Sequence, residues 1–448
     1  MLKQVVDYIL GLGPAIFLPI IMIIIGIIIR MKIKRAILAG ITLGIAFTGM
    51  SLILGFMFET ISPVAAKFVE TTGIHLNTVD VGWAPMSAIA WAWPYALLMF
   101  PIQIVINLIL LGFNFTNVLN VDMWNVWGKI FTATMVIAIT HSLILGFVAT
   151  VIQIILELKT AEVTQKRIYK ITSIPGVTCT HYMTLQCAMM EPINKVLDLI
   201  PAIKNSTFDS EKLKSKIGVF GENSVMGFII GGLFALVARY SVSETLQIAI
   251  KVSASLVLFP MVAKLFMQSL APIADAAGAY MKNKYKDREI YIGLDWPFLA
   301  GQAELWVISI LIVPVSIVLA LVFSKLNLNT ILPLAGIVNV IVVVPAMIVS
   351  KKNLIKMFIL SVIFTPAYLI VSSSFAPYVT ELARQVGTID IPSGQMISYF
   401  GVEAPIFRWV LANGLALRWQ GLLGVVIFIV LYAVFYITMR KENEWTKN

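Results

Sequence analysis

The chain has 448 residues, 59% of them hydrophobic and only 12% charged, with a mean hydropathy of +0.92. A soluble protein of this length could not hide so much apolar surface, and long unbroken apolar runs are foreign to β-barrel strands, so the composition indicates an all-α, polytopic helical membrane protein. The formal charge of +10 sits mostly in loops and at the carboxyl end, where membrane orientation needs it, and argues for a lipid bilayer and against nucleic acid.

Met1-Leu2-Lys3 leads into an apolar span without an Ala-x-Ala-like site, which predicts a retained first helix. Apolar spans follow at 12–30, 36–58, 95–113, 130–157, 222–239, 245–266, 304–324, 327–349, 354–374 and 411–438. Basic clusters at 30–35, 159–170, 282–288, 351–356 and 440–441 mark the inner face, which puts the amino terminus outside and the carboxyl terminus inside. That orientation needs an odd number of crossings, about eleven if one crossing is broken. Residues 59–77 and 268–290 are amphipathic, with Pro63 and Pro272 near their starts, and predict helices lying along the membrane surface. Residues 80–94 and 293–303 are short, rich in Gly, Pro, Trp and polar side chains, and predict interrupted or re-entrant segments. The expected organisation is a first half over 1–157, a polar cytoplasmic excursion with a re-entrant or surface hairpin over 158–221, a second half over 222–349, and carboxyl-terminal helices over 350–448. Cys179 and Cys187 suggest neither a disulfide framework nor a zinc site.

The halves are related in sequence. With Arg30 aligned on Arg239, Ile20, Ile21 and Ile41 fall on Ile229, Ile230 and Ile250, and Pro63 falls on Pro272. Four inserted residues later, Val81-Gly82-Trp83 meets Leu294-Asp295-Trp296. Positive charge follows the first span in the first copy (Arg30, Lys32, Lys34, Arg35) but comes one span later in the second (Lys282, Lys284, Lys286, Arg288). Lys and Arg stay inside, so the copies face opposite ways, and such inverted repeats are the architecture of alternating-access transporters.

Charged residues at membrane depth cost roughly 2.5–3.5 kcal/mol each and point to function. Glu222 opens an apolar span, where it also suits a helix amino terminus; Asp295 and Glu304 bracket the second short segment, with Gln302 between them. Trp83, Trp91, Trp93, Trp124, Trp127, Trp296 and Trp306 gather around these segments, some of them as an interfacial belt. Trp83 and Trp296 match across the repeat, beside Asp80 and Asp295. An aromatic face that covers C–H groups and a carboxylate that accepts from hydroxyls suit a neutral polyhydroxy ligand. His181 lies in the polar excursion and is a candidate substrate contact, while His141 reads as an inter-helix hydrogen bonder. Lys129 at the edge of its span predicts snorkelling. No nucleophile–base pair, nucleotide fingerprint or metal motif is present, so neither a catalytic residue nor a cofactor is expected.

The runs Tyr8-Ile9-Leu10-Gly11-Leu12-Gly13-Pro14, Val79-Asp80-Val81-Gly82-Trp83, Val121-Asp122-Met123-Trp124-Asn125-Val126-Trp127, Phe220-Gly221-Glu222 and Ile292-Gly293-Leu294-Asp295 resemble the galactitol-type membrane subunit, enzyme IIC, of the bacterial phosphoenolpyruvate-dependent sugar phosphotransferase system. The resemblance implies a homodimer in the bacterial cytoplasmic membrane whose core moves as a rigid body against a scaffold. It implies a sugar or polyol substrate and a phosphorylated IIB partner, with IIA upstream, that supplies the phosphoryl group. The chain departs from that pattern at Gly128-Lys129, at Trp296 before Pro297, at Gly301-Gln302 and around His181, which leaves galactitol, another hexitol, a pentitol or an unrelated sugar as candidate substrates. The competing reading is an ion-coupled secondary transporter of a small polar solute, with the same acids binding protons or Na⁺.

Overall fold

The computed structural model describes residues 14–28, 31–73, 76–120, 122, 124–206, 218–284, 290–299, 302–387 and 391–445. The first half runs α1 (Pro14–Ile28), α2 (Ile33–Thr72), β1 (Thr78–Asp80), α3 (Trp83–Trp91), α4 (Met99–Gly112), β2 (Val118–Asn120), α5 (Val126–Thr140), α6 (Leu143–Thr172), β3 (Val177–Cys179) and α7 (Cys187–Leu197). The second runs α8 (Asn223–Val237), α9 (Val242–Lys284), β4 (Tyr291–Leu294), α10 (Ala303–Lys325), β5 (Ile331–Leu332), α11 (Val340–Ser350), α12 (Leu354–Val386), β6 (Met396–Ser398) and α13 (Pro405–Leu415), after which α14 (Trp419–Trp445) closes the chain. The two series follow one order, helical hairpin, strand, helix, strand, short helix, long helix, strand, short helix, except that the bent pair α3 and α4 stands where the second series has the single α10.

The strands, which apolar periodicity did not announce, form two parallel sheets in the orders β5-β1-β6 and β2-β4-β3. Thr78 faces Ile331 on one side and Met396 on the other, while Ile292 of β4 faces Leu119 and Val177. Each half therefore lends its first strand to the centre of a sheet whose flanking strands come from the other half. Non-helical backbone inside a membrane protein must be satisfied by protein, and this exchange does so.

Asp80 completes the first sheet. Its Oδ1 accepts from the N–H groups of Gly82 and Phe400, and its Oδ2 from those of Leu334 and Gly336. One buried carboxylate thus ties together the turns that follow all three strands. Gly82 holds φ 74°, and a Cβ there would stand 2.9 Å from Cβ of Ala335, so both backbone and space demand glycine.

α1 packs on α2, α8 on α9, and α2 along α9. Small residues one turn apart permit the close approach. A Cβ on Gly40 or Gly44 would stand 2.6 Å from Ile23 or 2.7 Å from the Ala15 carbonyl, and one on Gly227 or Gly231 would meet α9 at 2.6 or 2.8 Å.

Two expectations are corrected. Residues 59–72 and 268–284 are not separate surface helices: they continue α2, a 40-residue helix containing Pro63, and α9, a 43-residue helix. Neighbouring helices make an internal proline tolerable in a membrane helix. The crossings are also fewer than about eleven. Among the described residues five helices are long and apolar enough to cross a membrane: Ile33–Ile61, Leu143–Thr172, Glu304–Lys325, Leu354–Val386 and Trp419–Asn443. The pair Trp83–Trp91 and Ala96–Gly112, bent by 94°, makes a sixth if taken as one broken span. The apolar run 130–157 breaks at His141, which turns left-handed (φ 55°) between α5 and α6. The run 327–349 is spent on β5, a loop and the 11-residue α11. α6 continues without a break to Thr172, past residue 157, and β3 and α7 beyond it are largely buried. The polar stretch 207–217 lies outside the described residues.

Asp80→Asn replaces acceptor lone pairs with an N–H₂ that cannot accept, and each charge-assisted bond lost costs roughly 1.5–3 kcal/mol. The variant is expected to melt well below the parent in detergent, measured by the thermal shift of the purified protein.

Candidate functional site: a cavity at the strand ends

The carboxyl ends of β1 and β4 open onto one cavity of about 270 Å³. The turn after β1 contributes Val81, Gly82 and Trp83, and the turn after β4 contributes Asp295, Trp296 and Pro297. The segments paired by the sequence repeat therefore meet at a single place. Trp124, Asn125, Trp127, His181, Asn339 and Glu403 complete the wall, and Met226 of α8 and Leu256 of α9 close it from the helical layer.

His181 lies just beyond β3 and is buried. Its Nδ1 accepts from the Met183 N–H at 3.2 Å, so the proton of the neutral ring is assigned to Nε2, which lies 4.0 Å from Asp295 Oδ1. The ring stacks on Tyr182 with centroids 4.3 Å apart. Burial, with Lys129 and Arg408 nearby, holds the imidazole well below its ordinary pKa, which keeps it a neutral donor. Asp295 Oδ1 accepts from the Trp296 N–H at 2.7 Å. Burial and then the charge of Asp122 push its carboxyl well above the usual range.

Glu403, on the turn after β6, was not anticipated. It is 2% exposed, and its Oε2 accepts from the Tyr399 hydroxyl at 2.9 Å with Arg408 Nη1 3.8 Å away. Burial raises its pKa to about 7 against the pull of Arg408. The Arg408 guanidinium lies 4.7 Å from both the Phe131 and Tyr182 ring centroids and donates to Tyr399 and to the Gly128 carbonyl. Tyr182 occupies the space a side chain at Gly128 would need, since a Cβ there would stand 2.1 Å from its ring. Asn339 is 2% exposed, and neither its Oδ1 nor its Nδ2 has a protein partner; the Trp127 Nε1 is likewise unpaired. Both residues line the cavity.

Of the residues singled out by sequence, Trp83, His181, Asp295 and Trp296 come together at the cavity. Asp80 lies behind it, fully engaged by backbone. Glu222 is exposed at the head of α8, one turn before Met226, and is not part of the cavity wall. Gln302 and Glu304 bond Lys352 at 2.8 and 3.2 Å, also outside the wall. Glu403 stood outside the repeat segments that directed attention, although an acid in the apolar run Tyr399–Phe407 was a visible signal. Lys129 does not snorkel. It meets Glu157 at 2.6 Å with both side chains 1% exposed, and Gln153 holds the other carboxylate oxygen at 2.7 Å. Among the described residues no cluster of three His, Cys, Asp or Glu could hold a metal.

Residues 8–394 match the family described as PTS system sugar-specific permease component, EIIC-GAT. The chain belongs to that family. It is 31% identical over 439 residues to a chain provisionally named permease IIC component in Escherichia coli (strain K12), covering 98% of this chain and 99% of that one. It is 30% identical over 453 residues to the PTS system galactitol-specific EIIC component of the same strain and of Escherichia coli O157:H7, covering 100% of this chain and 98% of those. As an EIIC permease it is a multi-pass membrane protein of a system whose permeases work with IIB and IIA components. The family match ends at residue 394, so β6 and Glu403 lie beyond it, although the full-length relatives span them.

Removing one partner of a buried ion pair costs about 3–5 kcal/mol, whereas replacing both by apolar groups is often neutral. Glu157→Gln is therefore expected to destabilise the permease strongly and Lys129→Met with Glu157→Leu to recover most of the loss, read by melting temperature and the yield of monodisperse protein.

Proposed function

We propose that this permease carries a small polyol, galactitol or a related hexitol or pentitol, across the cytoplasmic membrane, and that a phosphorylated IIB partner transfers its phosphoryl group to the substrate at the inner face. The observation that carries this reading is the cavity itself, where two matched segments bring Trp83, Asp295 and Trp296 to one wall with Glu403 and the unpaired amide of Asn339. Trp83 and Trp296 would cover the C–H faces of the ligand. Asp295, Glu403 and Asn339 would bond its hydroxyls, and His181 would donate through Nε2. A volume of about 270 Å³ suits a small solute. The galactitol specificity of the Escherichia coli relatives supports the substrate class.

The matching order of elements and the mutual exchange of β1 and β4 support two inverted repeats, with the amino terminus outside and the carboxyl terminus inside. Alternating access would follow from rigid-body movement of the cavity-bearing elements against the layer of α1, α2, α8 and α9, which among the described residues lines the cavity through Met226 and Leu256. The assembly is proposed to be a homodimer. No phosphoryl-donor residue is assigned to this chain; its contribution is to hold the acceptor hydroxyl in place.

Cells expressing the permease with its IIB and IIA components are expected to accumulate labelled polyol as the phosphate ester. Asp295→Asn should lower that accumulation by at least about tenfold, the loss of one hydrogen bond to the ligand, while leaving the amount of membrane-inserted protein unchanged, and Glu403→Gln should lower it as far per molecule of inserted protein. Free, unphosphorylated product accumulated on an ion gradient, or undiminished uptake in both variants, would contradict the reading.

A second prediction concerns the wall itself. Binding of a polyol to the purified permease should change tryptophan fluorescence, and Trp296→Phe should remove most of the change and weaken affinity, as titration will show.

A further inference from the structure

Two depressions between α6 and α14 share a wall. The larger, about 610 Å³, is a groove among α6, α13 and α14 lined by apolar side chains such as Leu156, Val425, Phe428 and Ile437. The hydroxyl of Tyr432 is tied off within it, donating to the Leu156 carbonyl at 3.0 Å and lying 3.0 Å from Thr160 Oγ1. The second depression, about 380 Å³, carries Lys159, Lys166 and Arg440 with one acid, Glu162, 2.9 Å from Lys159. Lys159 and Tyr436 line both, with the ammonium 5.8 Å from the ring centroid. An apolar trough thus runs into a basin with a net positive charge.

Dimension and charge together name an occupant. From Val425 to Ile437 α14 rises about 18 Å at 1.5 Å per residue, close to one leaflet's share of a hydrocarbon core of about 30 Å. The apolar lining gives way at one end to Lys159, Tyr436 and Arg440, in the order in which an acyl chain gives way to a headgroup. Basic pockets between membrane helices recognise anionic headgroups. We propose that groove and basin form a binding site for an anionic phospholipid, with an acyl chain along α14 and the phosphate among Lys159, Lys166 and Arg440. A helix from a second copy of the chain could fill the trough but would not account for the net positive charge of the basin. The site is remote from the polyol cavity, shares no residue with it, and stands independently of the substrate reading.

Full-length permease purified in detergent and supplemented with phosphatidylglycerol or phosphatidylcholine tests the assignment, with bound lipid counted by native mass spectrometry and stability followed by melting temperature. Phosphatidylglycerol should be retained and raise the melting temperature, and phosphatidylcholine should do neither. K159Q with R440Q should weaken phosphatidylglycerol retention by roughly thirtyfold, while the charge-preserving pair K159R with R440K should keep it. Leu156→Trp, which fills the trough, should reduce retention with the basic residues intact. Equal retention of the two lipids, or unchanged phosphatidylglycerol binding in K159Q with R440Q, would overturn the proposal. So would efficient disulfide cross-linking of two copies through Ile437→Cys in native membranes, which would assign the groove to a second copy.

Discussion

Backbone that leaves the helical state inside an apolar protein has to find hydrogen-bond partners, and in this permease each half finds them in the other. β1 is held between β5 and β6, and β4 between β2 and β3. Once the central strands are exchanged, the turns that follow them are forced to converge, and the cavity is the space between those turns. Asp80 shows how far the constraint reaches. A single carboxylate accepting four backbone N–H groups positions the turns after β1, β5 and β6, and two of those turns carry Trp83 and Glu403 to the cavity wall. The cavity is thus a consequence of backbone satisfaction before it is a matter of side-chain chemistry.

Buried charges repeat the pattern at the level of side chains. Lys129 and Glu157 join α5 to α6, and Arg408 links α13 to Tyr399 and to the Gly128 carbonyl of α5. Arg167 of α6 grips Glu191 of α7 with two nitrogens, at 2.8 and 3.0 Å, and Glu442 of α14 at 2.7 Å, while Lys351 pairs with the same Glu442 at 2.8 Å. Such pairs are weak evidence of net stability, since desolvation offsets much of the attraction. Their orientation demands do specify which helix ends meet. Fixing those ends keeps His181, Asn125 and Glu403 at set distances from Asp295, which a small polar ligand requires of its site.

Part of the cavity wall could be read from the chain before any coordinates. Trp83, Asp295 and Trp296 drew attention because they sit in the aligned repeat segments, and His181 because it stood in the semi-polar run within the polar excursion. The repeat also misled. Asp80 has the same residue type and neighbourhood as Asp295, yet one carboxylate faces the cavity and the other caps turns, a difference of about one residue in where each stands relative to its strand's end. Glu222, Gln302 and Glu304 met the criterion of acids near membrane depth. The fold nevertheless leaves Glu222 exposed at a helix head and gives the other two to Lys352. Glu403 was passed over because its strand, β6, is three residues long and carries no periodic signal.

Composition alone determined the membrane class and the helical character, because each is a sum over many residues that single contacts cannot reverse. The motifs in their order likewise identified the permease family. Which apolar runs become full-length helices, and which break into strand, loop and short helix, was decided by tertiary structure, because hydropathy cannot register a left-handed turn at His141 or a two-residue strand at Ile331. The exchange of strands was decided there too. A three-residue strand has no stability of its own, and only partners distant in sequence give it one.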